Sequence, residues 1–220
     1  MNEEQRFSLE DIKEKARGLL RSGENVREKL HELTVEALTQ RQLAEQEIRE
    51  VLGAITEGVS LGAAERAEEV RTALGSALRG MDDALGHAVE AMQLALGEVS
   101  AHAQEFAEQD LRQGLGELKK LEGMFLETVS YVAQEATGLV RQEMTALAEH
   151  ARRTGTGTGE RVREVAEEFG TRLLTTAQQA GDAGLHAARE IGSRVALLAS
   201  RKLIEIAERI EQKAQALKEK

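Results

Sequence analysis

The chain contains no proline, no cysteine and no tryptophan. Proline breaks helices because it lacks an N–H and its ring clashes with the preceding turn. Average usage would supply about ten in a chain of this size. Without cysteine there is no disulfide framework, no thiolate nucleophile and no cysteine-based metal site. Aromatics are nearly missing too: Phe7, Phe106, Phe125, Tyr131 and Phe169 are the full set, fewer than an ordinary compact core draws on. Long hydrophobic runs are also missing. The most apolar window, Ile191 to Ile210, is interrupted by Arg194, Arg201, Lys202, Glu205, Glu208 and Arg209, which makes a poor membrane span. Met1 to Glu10 is polar and acidic, unlike a secretory signal. These features lead us to expect a soluble, cytoplasmic protein. The formal charge of −10 argues against nucleic acid as a partner, because that binding needs clustered cations to replace counterions.

What remains is helix-forming. Ala, Leu, Glu, Arg and Gln dominate, and their arrangement is periodic. Sixteen positions spaced eleven residues apart carry no charged or polar side chain: Leu52, Ala63, Leu74, Leu85, Leu96, Ala107, Leu118, Val129, Val140, Ala151, Val162, Leu173, Gly184, Val195, Ile206 and Leu217. Eleven residues span three helical turns at about 3.67 residues per turn, close to a straight α-helix. Two further positions of each eleven add to the stripe. One contributes Val59, Val70, Met81, Met92, Phe125, Leu147, Phe169 and Ile191, and the other Leu78 and Val89. The stripe weakens at Glu122, Lys202 and Lys213. It is read as a helix-packing seam. Glycine is periodic beside it: Gly75, Gly86 and Gly97 share one repeat position, and Gly159, Gly170, Gly181 and Gly192 another. Glycine costs a helix about 1 kcal/mol relative to alanine, so a regular row suggests close approach of a second helix.

Residues 1–38 stand outside the repeat and predict a pair of short helices. Ser8 and Asp11 form a capping box with Phe7 and Ile12 as a hydrophobic staple, and that helix should end near Ser22-Gly23. A second helix from Asn25 would place Val26, Leu30, Leu33 and Ala37 on one face. Thr39 and Gln42, with Leu38 and Leu43, read as a second box and staple opening a long-helix region over 39–220. Fold-backs are expected near 114–116, at Gly114-Leu-Gly116, and near 154–159, at Thr154-Gly-Thr-Gly-Thr-Gly159. The apolar phase nonetheless continues from Ala151 to Val162 without a slip.

Catalytic signatures are absent. Glu28-x-x-His31 has the spacing of a di-metal carboxylate helix, but the second motif that fold requires is missing. No His-Glu-x-x-His, G-x-S-x-G or Walker A motif occurs. The Thr-Gly stretch lacks the Lys-Ser/Thr of a phosphate loop. Glu45 with Arg49 reads as a solvated i,i+4 pair. No enzyme activity, metal or cofactor is expected.

The tiled elevens resemble exchangeable apolipoproteins, which use them to lie along lipid. Thr176-Ala-Gln-Gln-Ala180 is similar to a motif of late-embryogenesis-abundant proteins, and the Ala-, Glu- and Gln-rich composition without cysteine resembles phasins, which coat polyester granules. Thr56 to Ala63 (TEGVSLGA) and Ala187 to Ser200 (AAREIGSRVALLAS) resemble an uncharacterised bacterial family of about this length. The expected fold is all-α: long amphipathic helices packed as an elongated hairpin or bundle, or as a right-handed to straight coiled coil. The expected function is that of a structural protein forming a homo-oligomer by burying the stripe between helices. A coat on a lipid or polyester granule surface, or a bundle binding a small ligand, are the alternatives.

Overall fold

The computed structural model describes residues 7–66, 69–101, 108–177 and 191–218. They form eight helices and, among the described residues, no strand: α1 (Leu9–Ser22), α2 (Val26–Thr39), α3 (Glu45–Ala64), α4 (Val70–Ala101), α5 (Glu108–Glu135), α6 (Gly138–Thr154), α7 (Gly157–Ala177) and α8 (Ile191–Lys218). The fold is all-α.

Local signals explain the first hairpin. The Ser8 hydroxyl accepts from the Asp11 amide, and the Asp11 carboxylate accepts from the Ser8 amide and hydroxyl. These hydrogen bonds hold the Asp11 carboxyl below its ordinary range. Phe7 packs against the core edge with Lys15 Nζ 3.2 Å from its ring centroid. Gly23 closes α1 at φ 73° in the left-handed region that glycine tolerates. Asn25 starts α2, burying Val26, Leu30, Leu33 and Ala37. The second box does not form. Thr39 ends α2 with its hydroxyl on the Glu36 carbonyl, and α3 begins only at Glu45. The Gln42 amide instead donates to Glu47.

Contacts fix the directions of the helices. Lys13, Arg17 and Leu20 of α1 meet Gly58, Gly62 and Arg66 in the same order, so α1 and α3 run parallel. Arg27 and His31 of α2 meet Asp83 and His87 of α4, again parallel. Glu45 and Arg49 of α3 meet Lys120 and Glu127 of α5. Helices α1 to α6 alternate in direction: Phe7 bonds Gln40 and Arg41 at the open end of the first hairpin, and Leu96 lies on Gly114 where α5 returns along α4. The result is three helical hairpins lying side by side, as helix pairs stack in α-solenoids. One layer holds α1, α3 and α5, and the other α2, α4 and α6 with α7. Helix α8 closes one end: Ser200 accepts from the Leu43 amide at 2.8 Å and Lys202 lies 3.7 Å from Glu98.

A single long helix after residue 39 is therefore not formed. Gly114-Leu-Gly116 is not a fold-back but lies inside α5. A Cβ on Gly114 would sit 2.7 Å from Leu96 Cδ2 and 3.0 Å from Val195 Cγ1, so this glycine admits two neighbours rather than a turn. The Thr-Gly stretch interrupts the helix at Gly155 and Thr156 without reversing it. Contacts to α4 advance steadily across the break, from Gly75–Leu147 through Asp82–Gly157 and Gly86–Arg161 to Gln93–Glu168. Reversals occur instead at 40–44, between α3 and α4, and at Ala136-Thr137; Glu69 (φ 58°) precedes α4 and Gly138 (φ 57°) starts α6.

Candidate functional site: the buried seam, the α6–α7 junction and an exposed apolar patch

The seam lies between the two layers. Leu52, Val59, Val70, Leu74, Met81, Leu85, Val89, Met92, Leu96, Leu118, Phe125, Val129, Val140, Val162, Phe169, Val195 and Ile206 are all buried in one continuous core. Leu78 and Leu147 are half-buried. Leu173 and Ile191 lie on α7 and α8 outside the residues whose side chains are described. Each fully buried leucine contributes about 1.5–3 kcal/mol relative to exposure, and the two layers cover one another. Buried hydroxyls are accommodated locally: Thr34, Thr56, Thr128 and Ser200 each donate to the carbonyl four residues back.

The glycine row behaves differently from its sequence reading. Gly97 has nothing within 4 Å of its Cβ position, and Gly75 meets only ordinary contacts, at 3.6–3.9 Å. Gly86 faces the Arg161 guanidinium and Gly159 the Glu122 carboxylate, both ends of flexible side chains. Gly170 and Gly192 lie outside the residues whose surroundings are described, and Gly181 lies outside the described residues altogether. Backbone-to-backbone approach occurs elsewhere. Gly58 and Gly62 of α3 receive the Lys13 and Arg17 carbonyls of α1, and Gly80 of α4 receives the Arg27 carbonyl of α2. The signal was present as Gly58-x-x-x-Gly62, a small-x-x-x-small spacing that brings helices together. It lies outside the two periodic glycine registers.

At the α6–α7 junction two carboxylates from neighbouring helices cap α7. Asp82 of α4 accepts from the Gly157 amide at 2.8 Å and the Thr158 amide at 3.0 Å. Glu122 of α5 accepts from the Thr156 amide and hydroxyl, both at 3.0 Å. The Thr156 hydroxyl in turn accepts from the Gly159 amide. Negative charge at a helix N-terminus is favourable, so the charged break in the apolar stripe at Glu122 has a structural role. The Thr-Gly stretch is a helix start filled by the protein's own carboxylates.

His31 and His87 stand edge to face with centroids 5.2 Å apart. Burial and the neighbouring His87 push the His31 imidazole below its ordinary value, against the pull of Asp83 and Glu28. Among the described residues no group of three or more His, Asp or Glu side chains is placed to hold a metal, and no helix is long and apolar enough to cross a membrane.

Apolar surface also remains beside a groove on α3, α5 and α6. Leu61 of α3 and Tyr131 of α5, 42% and 64% exposed, flank a groove of about 440 Å³. Ser60, Ala64, Val132, Ala136 and Val140 also line it, and so do Lys13 and Glu57, which pair at 3.2 Å. Leu139, 53% exposed, stands beside Val140. None of these three belongs to the seam, so the stripe gave no signal for them. Tyr131, the one tyrosine of the chain, was the available clue.

Comparison with known proteins adds one finding. A family model described as a family of unknown function (DUF6781) matches residues 2–212. The chain belongs to this family. No curated protein and no solved structure matches it. The match covers both stretches, 56–63 and 187–200, on which the likeness to an uncharacterised family rests.

Proposed function

We propose that this protein is a non-catalytic helical scaffold that self-associates. The observation that carries the reading is the division of its apolar surface. Most of the seam is taken up between the layers of one chain, while Leu61 and Tyr131 are exposed on a groove and Leu139 is exposed next to its lining residue Val140. A patch holding both projections and a hollow is suited to a twofold contact, in which each copy's projections enter the other's hollow. Tyrosine is among the residue types that carry interface energy when desolvated, and the two leucines beside it add apolar area to cover. The remaining exposed leucines, Leu9, Leu94 and Leu197, lie on α1, α4 and α8, and scattered single residues of that kind need no partner.

Light scattering coupled to size exclusion tests the reading. The wild type should elute at twice 24.1 kDa, and the double variant Leu61→Asp/Tyr131→Asp at the mass of one chain with unchanged helical circular dichroism. A wild type that stays single at high concentration, or a double variant that keeps the wild-type mass, would overturn the proposal. Co-flotation of a monomeric wild type with neutral lipid vesicles would favour a granule or lipid coat instead.

A further inference from the structure

Seventeen of the large seam side chains are buried, whereas Leu78, Leu147 and the stripe's Ala151 are only half-buried, and all three line the same cleft. This cleft opens between α4, α5 and α6 and measures about 280 Å³. Its body is apolar, walled by Leu78, Phe125, Leu126, Val129, Leu147 and Ala148. Asp82 and His150 line it at the α6–α7 junction, and Arg79 stands on its wall with its guanidinium turned back toward Gly75 and Ser76. We propose that the cleft binds a small anionic amphiphile: a short acyl chain or compact ring against the leucines, and a single carboxylate at Arg79.

The charge at the mouth decides the sign of the head group. The polar groups around it are nearly all engaged. Both Asp82 oxygens accept amides of α7, so the helix N-terminus offsets that carboxylate. The Thr154 hydroxyl donates to the His150 carbonyl at 3.0 Å, and the Thr156 hydroxyl is spent on Glu122. Arg79 is exposed and forms no ion pair among the described residues. Its guanidinium makes one long contact, 3.4 Å, to the Ser76 hydroxyl. It lies alongside Gly75, within 3.6 Å of the Cβ position there, at the rim formed by Leu147. A guanidinium that can take a carboxylate side-on therefore stands over an apolar hollow whose own leucines are left partly wet. The size suits a light ligand. Pockets for drug-sized molecules run roughly 300–1,000 Å³, so this one holds a body of about eight to ten carbons.

Calorimetric titration of the full chain with octanoate and, separately, with 1-octanol tests the proposal. The expected result is one saturable site per chain, with octanoate bound at least tenfold more tightly than the alcohol. Arg79→Gln should bring the two ligands to equal affinity. Gly75→Leu, whose side chain grows towards Leu147, should abolish both without loss of helical signal. Absence of saturable heat from octanoate, or equal affinity for acid and alcohol in the wild type, overturns the proposal with no variant needed. Retention of the tenfold preference in Arg79→Gln overturns the assignment of the head group, and undiminished binding by a folded Gly75→Leu overturns the cleft.

Discussion

Two alanine substitutions on one helix should move stability in opposite directions. Gly80 and Gly97 both lie on α4. Alanine at either gains about 1 kcal/mol of helix propensity. At Gly97 nothing stands within 4 Å of the new methyl, so the gain survives and Gly97→Ala should raise Tm by about 2–4 °C, the shift expected per kcal/mol for a chain of this size. At Gly80 the methyl would run into the Arg27 carbonyl oxygen and lie 3.1 Å from the His31 amide nitrogen. Both are backbone atoms of α2, so no rotamer change relieves them. The whole helix must back away, and a gap of even 0.5–1 Å forfeits about a quarter to a half of each contact it opens. Overpacking of this kind costs about 1–3 kcal/mol. The backbone clash places Gly80→Ala at the upper end, leaving a net loss of about 1–2 kcal/mol and a Tm about 2–8 °C lower. Thermal and urea unfolding followed by circular dichroism would read both. If Gly80→Ala stabilised the protein as much as Gly97→Ala, the parallel, backbone-close packing of α2 on α4 would be wrong.

The cap on α7 makes a second expectation. Asp82→Ala strands two amides and should cost about 1–2 kcal/mol, lowering the urea midpoint, whereas Asp83→Ala removes only the exposed Arg27 pair and should cost less than about 1 kcal/mol; equal losses would refute the capping role. The paired imidazoles make a third. Because His31 is harder to protonate in the folded chain, the unfolded chain binds more protons below about pH 6.5. Its contribution is therefore complete above that pH and is lost as pH falls through the depressed folded value. His31→Gln should flatten the dependence of the urea midpoint between neutral and mildly acid pH. An unchanged slope would show that the imidazole is not held neutral.

Much of the first hairpin was legible because its signals are local. The Ser8–Asp11 box, Gly23 and the Val26–Leu30–Leu33–Ala37 face each need only a few neighbouring residues to act. The reversal between α3 and α4 was not legible. Glu65, Arg66 and Glu69 are ordinary helix residues, and the chain turns there so that α4 can bury itself on α2, with Arg66 donating to the Leu20 carbonyl. Tertiary burial overrides propensity at such a point. Glycine misled for a related reason. Its low helix propensity marks a loop and a close contact alike, so Gly114 read as a turn although it makes room for Leu96 and Val195. The surface groove leaves no mark on the sequence pattern because Leu61, Tyr131 and Leu139 obey no period.

The Thr-Gly stretch shows which of two conflicting signals to weigh more. Three glycines alternating with threonines argue for a loop, yet the apolar phase runs through them unbroken. A reversing loop has no reason to keep helical phase, whereas a helix that pauses and resumes along the same neighbour must keep it, or its stripe would rotate away from the core. Here the pause is two residues long, and α6 and α7 both stay on α4. Val140, Met144 and Ala148 before the break and Val162, Val165 and Phe169 after it all reach the same core. The composition at 154–159 thus reports a local interruption, and the phase across it reports direction. Asp82 and Glu122 allow both to hold, because amides freed by the interruption find acceptors on the two helices already alongside.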